Sequence, residues 1–233
     1  MEGCMSVDFR EDGLQLYNEG RYSAALEIFL AEETDPAEDT ELAYYMGLCH
    51  TRLGEKDDAI RLLHQVVGSD SHLIRLYQAR MLLSWLLVEN NDIEGAEQQL
   101  REVLQEGFES PQAWSALGYC QWRRGRTDLA LESYREALKL DDGNPNAVNG
   151  LGYLLADSGE DPLAAIELCR KAVETDPDNM AYRDSLGWAL FRAGKTSEAI
   201  RYLTEALSNR PGDDTIKGHL EAVRTHEQPD SKI

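Results

Sequence analysis

The sequence predicts an all-α solenoid, a row of helix-turn-helix hairpins closed by one further helix, and three observations carry that prediction. Glycines fall on a beat, at Gly20, Gly54, Gly125, Gly159 and Gly194, with Asn91 holding the remaining place. Small residues keep the same beat behind them, at Ala25, Ala59, Ala96, Ala130, Ala165 and Ala199, in steps of 34, 37, 34, 35 and 34 residues. Around these marks run apolar stripes at helical spacing, such as Trp114, Leu117 and Gly118 before Gly125, and Ala130, Tyr134 and Ala137 after it. Two short helices with one stripe each cannot bury both stripes alone, so every hairpin needs a neighbour.

In chain order the hairpins cover about 6–39, 40–73, 77–110, 111–144, 145–179 and 180–213, within a single superhelix spanning 6–226. Prolines mark several ends: Asp35-Pro36, Asp176-Pro177 and Arg210-Pro211 stop helices, because proline disfavours the helical region in the residue before it. Pro111 and Pro145 fall in first turns, where a missing N–H costs nothing. Thr127 and Thr196, just past the breaking glycines, are expected as N-caps. The longer steps place small insertions at Gly68–Ile74 and near Asp161–Pro162. The first of these suggests that the first helix of the third hairpin is displaced or extended at its start, beginning near Ser71. Residues 213–225 read as a capping helix with Ile216, Leu220 and Val223 on one face, and 227–233 as a disordered tail.

Composition narrows the function. Of 233 residues 42% are hydrophobic, enough for a continuous core and too many for a disordered chain. A formal charge of −20 argues against nucleic acid or an anionic membrane as partner, and leaves a basic segment of another protein as a fitting one. No stretch reaches the ~18 apolar residues that suggest a membrane span. The opening MEGCMSVDFREDG has neither the basic nor the apolar region of an export signal. A cytoplasmic location is therefore expected, or a periplasmic or envelope-associated one if such a signal has been removed. Cys4, Cys49, Cys120 and Cys169 share no ligand-like spacing, and the last three fall inside expected helices as small buried hydrophobes.

With its 34-residue period, its Leu117-Gly118 and Leu186-Gly187 pairs, and the small residues Ala130/Ala137 and Ala199/Ala206, the chain resembles the tetratricopeptide repeat family in six copies over nearly its whole length. The resemblance implies a right-handed solenoid whose small residues let paired helices approach closely. Departures are informative. The first copy has Asp12 where Leu is expected and Glu32 where Ala is expected, and the third has Ser84 for Gly. Terminal repeats are often atypical because one face meets water.

A search for reactive constellations returns no enzyme and no cofactor site. His50, His64, His72, His219 and His226 form no HExxH-like group, and His50 at a core place reads as a packed histidine. Gly150-Leu151-Gly152 sits in a helix rather than after a strand, so it forms no phosphate loop. The acidic pairs Asp57-Asp58, Asp141-Asp142 and Asp213-Asp214 fall at turns, where capping and the helix dipole account for them.

What remains is a second row on each first helix, roughly opposite its core stripe. The resemblance implies that this row lines a concave surface where partner segments lie. Place nine carries Trp85, Tyr119, Tyr153 and Trp188; place twelve carries Tyr17, Trp122 and Phe191; place five adds Tyr44. Arg52, Arg123 and Arg192 stand at place thirteen. Such rings combine area, rigidity and a polar tip, which suits a partner groove, while the arginines suit a carbonyl or carboxylate. Place five reads Arg10, Tyr44, Met81, Ser115, Asn149 and Asp184, which does not match the family's carboxylate clamp for chaperone tails. The expected function is thus a scaffold or adaptor holding an extended or helical segment of another protein. An assembly factor or pilotin-like component of a bacterial envelope machine is an alternative, and a self-associating structural homo-oligomer a second one.

Overall fold

Six helical hairpins and one further helix account for the described residues, 9–32, 34–69 and 72–227, of this computed structural model. Among those residues there is no strand, and no helix is long and apolar enough to cross a membrane. The expectations for Cys4, Ser6, Ser71 and residues 228–233 lie outside the described residues. The chain packs as two compact units, one ending at Phe108 and one beginning at Glu109. The first holds α1 (Phe9–Asn18) with α2 (Tyr22–Leu30), α3 (Thr40–Leu53) with α4 (Lys56–Ser69), and α5 (Leu73–Glu89) with α6 (Ile93–Gln105). The second holds α7 (Pro111–Arg123) with α8 (Thr127–Leu140), α9 (Pro145–Ser158) with α10 (Pro162–Thr175), α11 (Met180–Arg192) with α12 (Thr196–Asn209), and α13 (Asp214–Glu227).

Each hairpin turns on a residue in the left-handed region, which a Cβ normally disfavours. Gly20, Gly54, Gly125, Gly159 and Gly194 have φ between 73° and 79°, and Asn91, which holds the beat in the third hairpin, has φ 62°. In five turns the next N–H then reaches back five residues, as in Glu55 N–H to His50 O (2.9 Å), Asp92 N–H to Leu87 O (2.8 Å) and Lys195 N–H to Leu190 O (2.8 Å). This closure satisfies a carbonyl that the helix end leaves unpaired. The α9–α10 turn carries the extra residue seen in the 35-residue step, and there Glu160 N–H turns to Ser158 Oγ instead.

The alanine beat marks the helix crossings. Ala25, Ala59, Ala96, Ala130, Ala165 and Ala199 are all 0% exposed, so no larger side chain fits without moving a helix. The closest approach is around Tyr134 of α8, whose ring lies between Gly118 of α7 and Gly150 of α9. A Cβ at Gly118 would sit 2.9 Å from the ring, and one at Gly150 only 2.3 Å from it. Both glycines therefore make room for one buried phenol.

Departures from the repeat pattern have local explanations. Glu32, in place of a small residue, pairs with Arg10 (2.8 Å), which also holds Asp39 (2.8 Å). Arg80 stands where the fourth hairpin has Trp114. It is 8% exposed and pairs with Gln99 (2.9 Å), Glu102 and Glu106 (3.2 Å). The helix of the third hairpin is extended, with α5 beginning four residues ahead of Tyr77 and His72 Nδ1 accepting from Arg75 N–H (3.4 Å).

Three expectations need correction. Thr127 and Thr196 are the first residues of their helices, and the capping places belong to Arg126 and Lys195, whose side chains make no capping bond. True side-chain caps sit one hairpin junction earlier, where Ser110, Asn144 and Asn179 accept from the N–H groups of the following first turn. His50 is not simply packed in the core, because its Nδ1 lies 2.5 Å from the Glu55 carboxylate at the hairpin corner. Finally α13 runs through Glu227, one residue into the segment expected as tail.

Within the second unit the first helices lie side by side, α7 on α9, α9 on α11 and α11 on α13. The capping helix thus occupies the position of a seventh first helix. Ile216, Leu220 and Val223, at most 3% exposed, bury its inner face.

Candidate partner-binding site

Side-by-side first helices bring their place-nine and place-twelve rings into one ladder in the second unit. Tyr119 and Trp122 are 5.8 Å apart between centroids, and Trp122 meets Tyr153 edge-on at 5.3 Å. Trp188 packs on Phe191 at 5.4 Å. Of the residues expected here from sequence, these five come together as a group. All five are partly exposed, so packing does not consume them.

Sequence reasoning missed the rung that joins the two halves of the ladder. His219 of α13 stacks on Trp188 at 4.4 Å and lies 5.9 Å from the Tyr153 ring. Its Nδ1 is 2.9 Å from both oxygens of Asp184, a carboxylate only 6% exposed, which assigns the ring hydrogen to Nδ1. His226 meets Phe191 edge-on at 5.5 Å. A signal was present: Asp214 lies 34 residues after Met180, which places His219 at the sixth place of a seventh copy.

Beneath Tyr119, Trp122 and Tyr153 opens a cavity of about 240 Å³. Tyr134, Asn149 and Asp184 also line it, as do Asp213 and Thr215 at the start of α13. The Asn149 Oδ1 atom is shielded from solvent, and no protein group hydrogen-bonds to it. Burial, and after it the charges of Asp157 and Asp184, pushes the Tyr153 phenol up to about 12. Asp184 and Asp213 are the charged side chains in the cavity lining.

The arginines of the row stand over rings. Arg123 lies 5.7 Å from the centre of the Tyr119 ring and donates to its hydroxyl (2.8 Å), and Arg192 lies 5.9 Å from that of Trp188. Trp188 itself donates from Nε1 to Asp157 (3.3 Å).

In the first unit the candidate residues are differently placed. Arg52 lies 6.0 Å from the Tyr22 ring centre, and Tyr17 meets the same ring edge-on at 5.3 Å. Tyr44 is 9% exposed and donates to Gln78 Oε1 (3.1 Å). Trp85, by contrast, is 51% exposed. Among the described residues no group of acidic, histidine and cysteine side chains is arranged to hold a metal ion.

A chain of repeated helical hairpins, with fully buried alanines at every crossing and rings on the first helices, defines a class of interaction scaffolds. Two family models described as tetratricopeptide repeat match it, one at 81–145 and 122–179 and the other at 41–70 and 185–213. The chain belongs to the tetratricopeptide repeat family, whose members generally mediate protein–protein interaction. It is 32% identical over 174 residues to the TPR repeat-containing protein PA4667 of Pseudomonas aeruginosa, a match covering 72% of this chain and 28% of that protein. The chain thus spans about a quarter to a third of the curated relatives it matches first. Among solved structures it is similar to a tetratricopeptide repeat protein from Parabacteroides merdae, with a TM-score of 0.73 at 15% identity, covering 94% of this chain and 86% of that one. It is similar also to a chain of the APC/C hetero-tetramer Cut9-Hcn1, with a TM-score of 0.69 at 16% identity, covering 92% and 42%.

Proposed function

We propose that this protein is a scaffold that holds an extended or helical segment of a partner against the ring ladder of its second unit. The observation that carries the reading is the ladder from Tyr119 to Phe191, closed by His219, whose rings keep solvent-facing surface after all internal packing. Exposed aromatic surface above a cavity is the anatomy of a contact site, and tryptophan and tyrosine carry a large share of binding energy. The hetero-tetramer seen for one similar structure is an example of such a fold engaged with a second protein. In the first unit, Trp85 offers an exposed ring for the same purpose.

Affinity capture from native lysate with wild type and with Trp122→Ala, matched for helicity by circular dichroism, tests the reading. Trp122→Ala is expected to weaken the partner by about 2 kcal/mol or more, so a protein retained by wild type is lost from the variant. Identical partners from both baits overturn the assignment and move the interaction away from the ladder.

A further inference from the structure

The cavity under the ladder is chemically one-sided. The rings of Tyr119, Trp122 and Tyr153 line it, and an aromatic ring carries negative potential on its face. Its lining also includes Asn149, whose Oδ1 no protein group reaches, and the acceptor carboxylate of Asp184. Asp184 is shared with one N–H of His219, which leaves lone pairs on both oxygens. Asp213, also in the lining, uses Oδ1 to cap α13 through Thr215 and Ile216, and its second oxygen takes no part in that cap. No lysine, arginine or histidine lines the cavity.

Each feature selects against a class of occupant. An anion would meet two carboxylates and no basic side chain. A neutral aliphatic group would leave Asn149 Oδ1 buried and unpaired, at the cost that any unmade hydrogen bond carries. A volume of about 240 Å³ lies below the roughly 300–1,000 Å³ of sites for whole small ligands, which favours a single side chain. A cation with N–H donors satisfies all three constraints, through attraction to the rings and hydrogen bonds to the acceptors in the lining. The chain's formal charge of −20 draws such a partner in.

We infer that the cavity bounded by Tyr119, Trp122, Tyr153, Asn149 and Asp184 receives the lysine or arginine side chain of the bound segment. This rests on the reading of the ladder as the partner site and adds the residue class that anchors there. The test uses the purified full chain and three small probes at constant ionic strength: Nα-acetyl-lysinamide, Nα-acetyl-argininamide and the uncharged Nα-acetyl-norleucinamide. Binding is followed by the indole N–H resonance of Trp122, assigned by its loss in Trp122→Phe. The cationic probes are expected to bind at least about tenfold more tightly than norleucinamide. Asn149→Ala, which suits its helix, is expected to weaken the cationic probes by about threefold and leave norleucinamide unchanged. Norleucinamide binding within about twofold of lysinamide overturns the inference, since cation–π and carboxylate attraction would then contribute nothing. If that outcome accompanies a Trp122→Ala bait that has lost its partner, the ladder remains the partner site and only the cationic anchor falls.

Discussion

Replacing Gly150 by alanine sets two known effects against each other, and the structure decides which wins. In an exposed helix interior, glycine to alanine stabilises by about 1 kcal/mol through backbone entropy. At Gly150 the new Cβ would lie 2.3 Å from Cζ of Tyr134 and 2.6 Å from Cε1 and Cε2. The ring has little room to retreat, because the phenol is only 4% exposed and is packed against Gly118 as well. Forcing extra volume into such packing costs about 1–3 kcal/mol, and more if the ring is expelled, since losing a buried aromatic side chain costs about 3–5 kcal/mol. Set against the gain of about 1 kcal/mol, Gly150→Ala should destabilise by up to about 2 kcal/mol net if the ring stays, and by about 2–4 kcal/mol if it is expelled. Gly218, in α13 with open space where its Cβ would go, is the control and should gain about 0.8–1.0 kcal/mol from the same substitution. Because helix propensity contributes alike at both sites, the difference isolates the Tyr134 contact. Urea and thermal unfolding followed at 222 nm read it, with Gly150→Ala lowering the midpoint by about 3–10 °C. If both variants shift in the same direction by the same amount, the account of Tyr134 as a ring clamped between two glycines is wrong.

Other measurements probe other parts of the fold. Burial pushes Cys49 up to about 11, and burial with the charge of Asp184 pushes Cys169 up to about 12, so at pH 8 native protein both should resist a disulfide reagent. Peptide mapping after urea should show both labelled; labelling before unfolding contradicts their burial. Ser133 donates to the Gln121 amide oxygen (2.7 Å) with both residues buried, and Ser133→Ala should cost about 1–3 kcal/mol by orphaning that acceptor. Adding Gln121→Leu to remove the orphan should recover most of the loss in the same urea titration. His219→Ala strips the buried Asp184 of its partner and should raise amide exchange across α13, whereas His219→Gln, which keeps a donor, should raise it less.

The backbone plan was legible because it is steric and repetitive. A residue at every helix crossing that must be smaller than its neighbours leaves a mark six times over, and all six alanines are fully buried. Even Asn91, the exception in the glycine beat, takes the left-handed conformation that the beat demands, a region asparagine enters more easily than most residues. The helix starts were harder. Thr127 and Thr196 are one residue inside their helices, and a shift of one position separates a capping hydroxyl from an ordinary first-turn residue. The site was legible only by type. Sequence places rings on one row, but it does not reveal that Tyr44 turns inward to Gln78 while Trp85 stays half exposed. Nor does it link Asp184 to His219, 35 positions away on another helix, a pairing that exists only because α13 docks as a seventh first helix. Asn149 reads as a mismatch to a known clamp, and gains meaning only when its oxygen is found shielded over a cavity.

The irregular steps in the alanine beat have a consequence for how such a chain can change length. The step of 37 residues is taken up ahead of Tyr77 by an early start to α5, and the step of 35 by one residue in the α9–α10 turn. In neither case is a crossing disturbed, as Ala96 and Ala165 remain fully enclosed. Insertions and deletions are thus absorbed at the joints, where a turn can lengthen, and are excluded from the helices, where one residue would rotate every buried contact by about 100°. A library of single-residue insertions along the gene, sorted for folded product, would survive in clusters about one hairpin apart, drawing the joints of the chain as a periodic map of permissiveness.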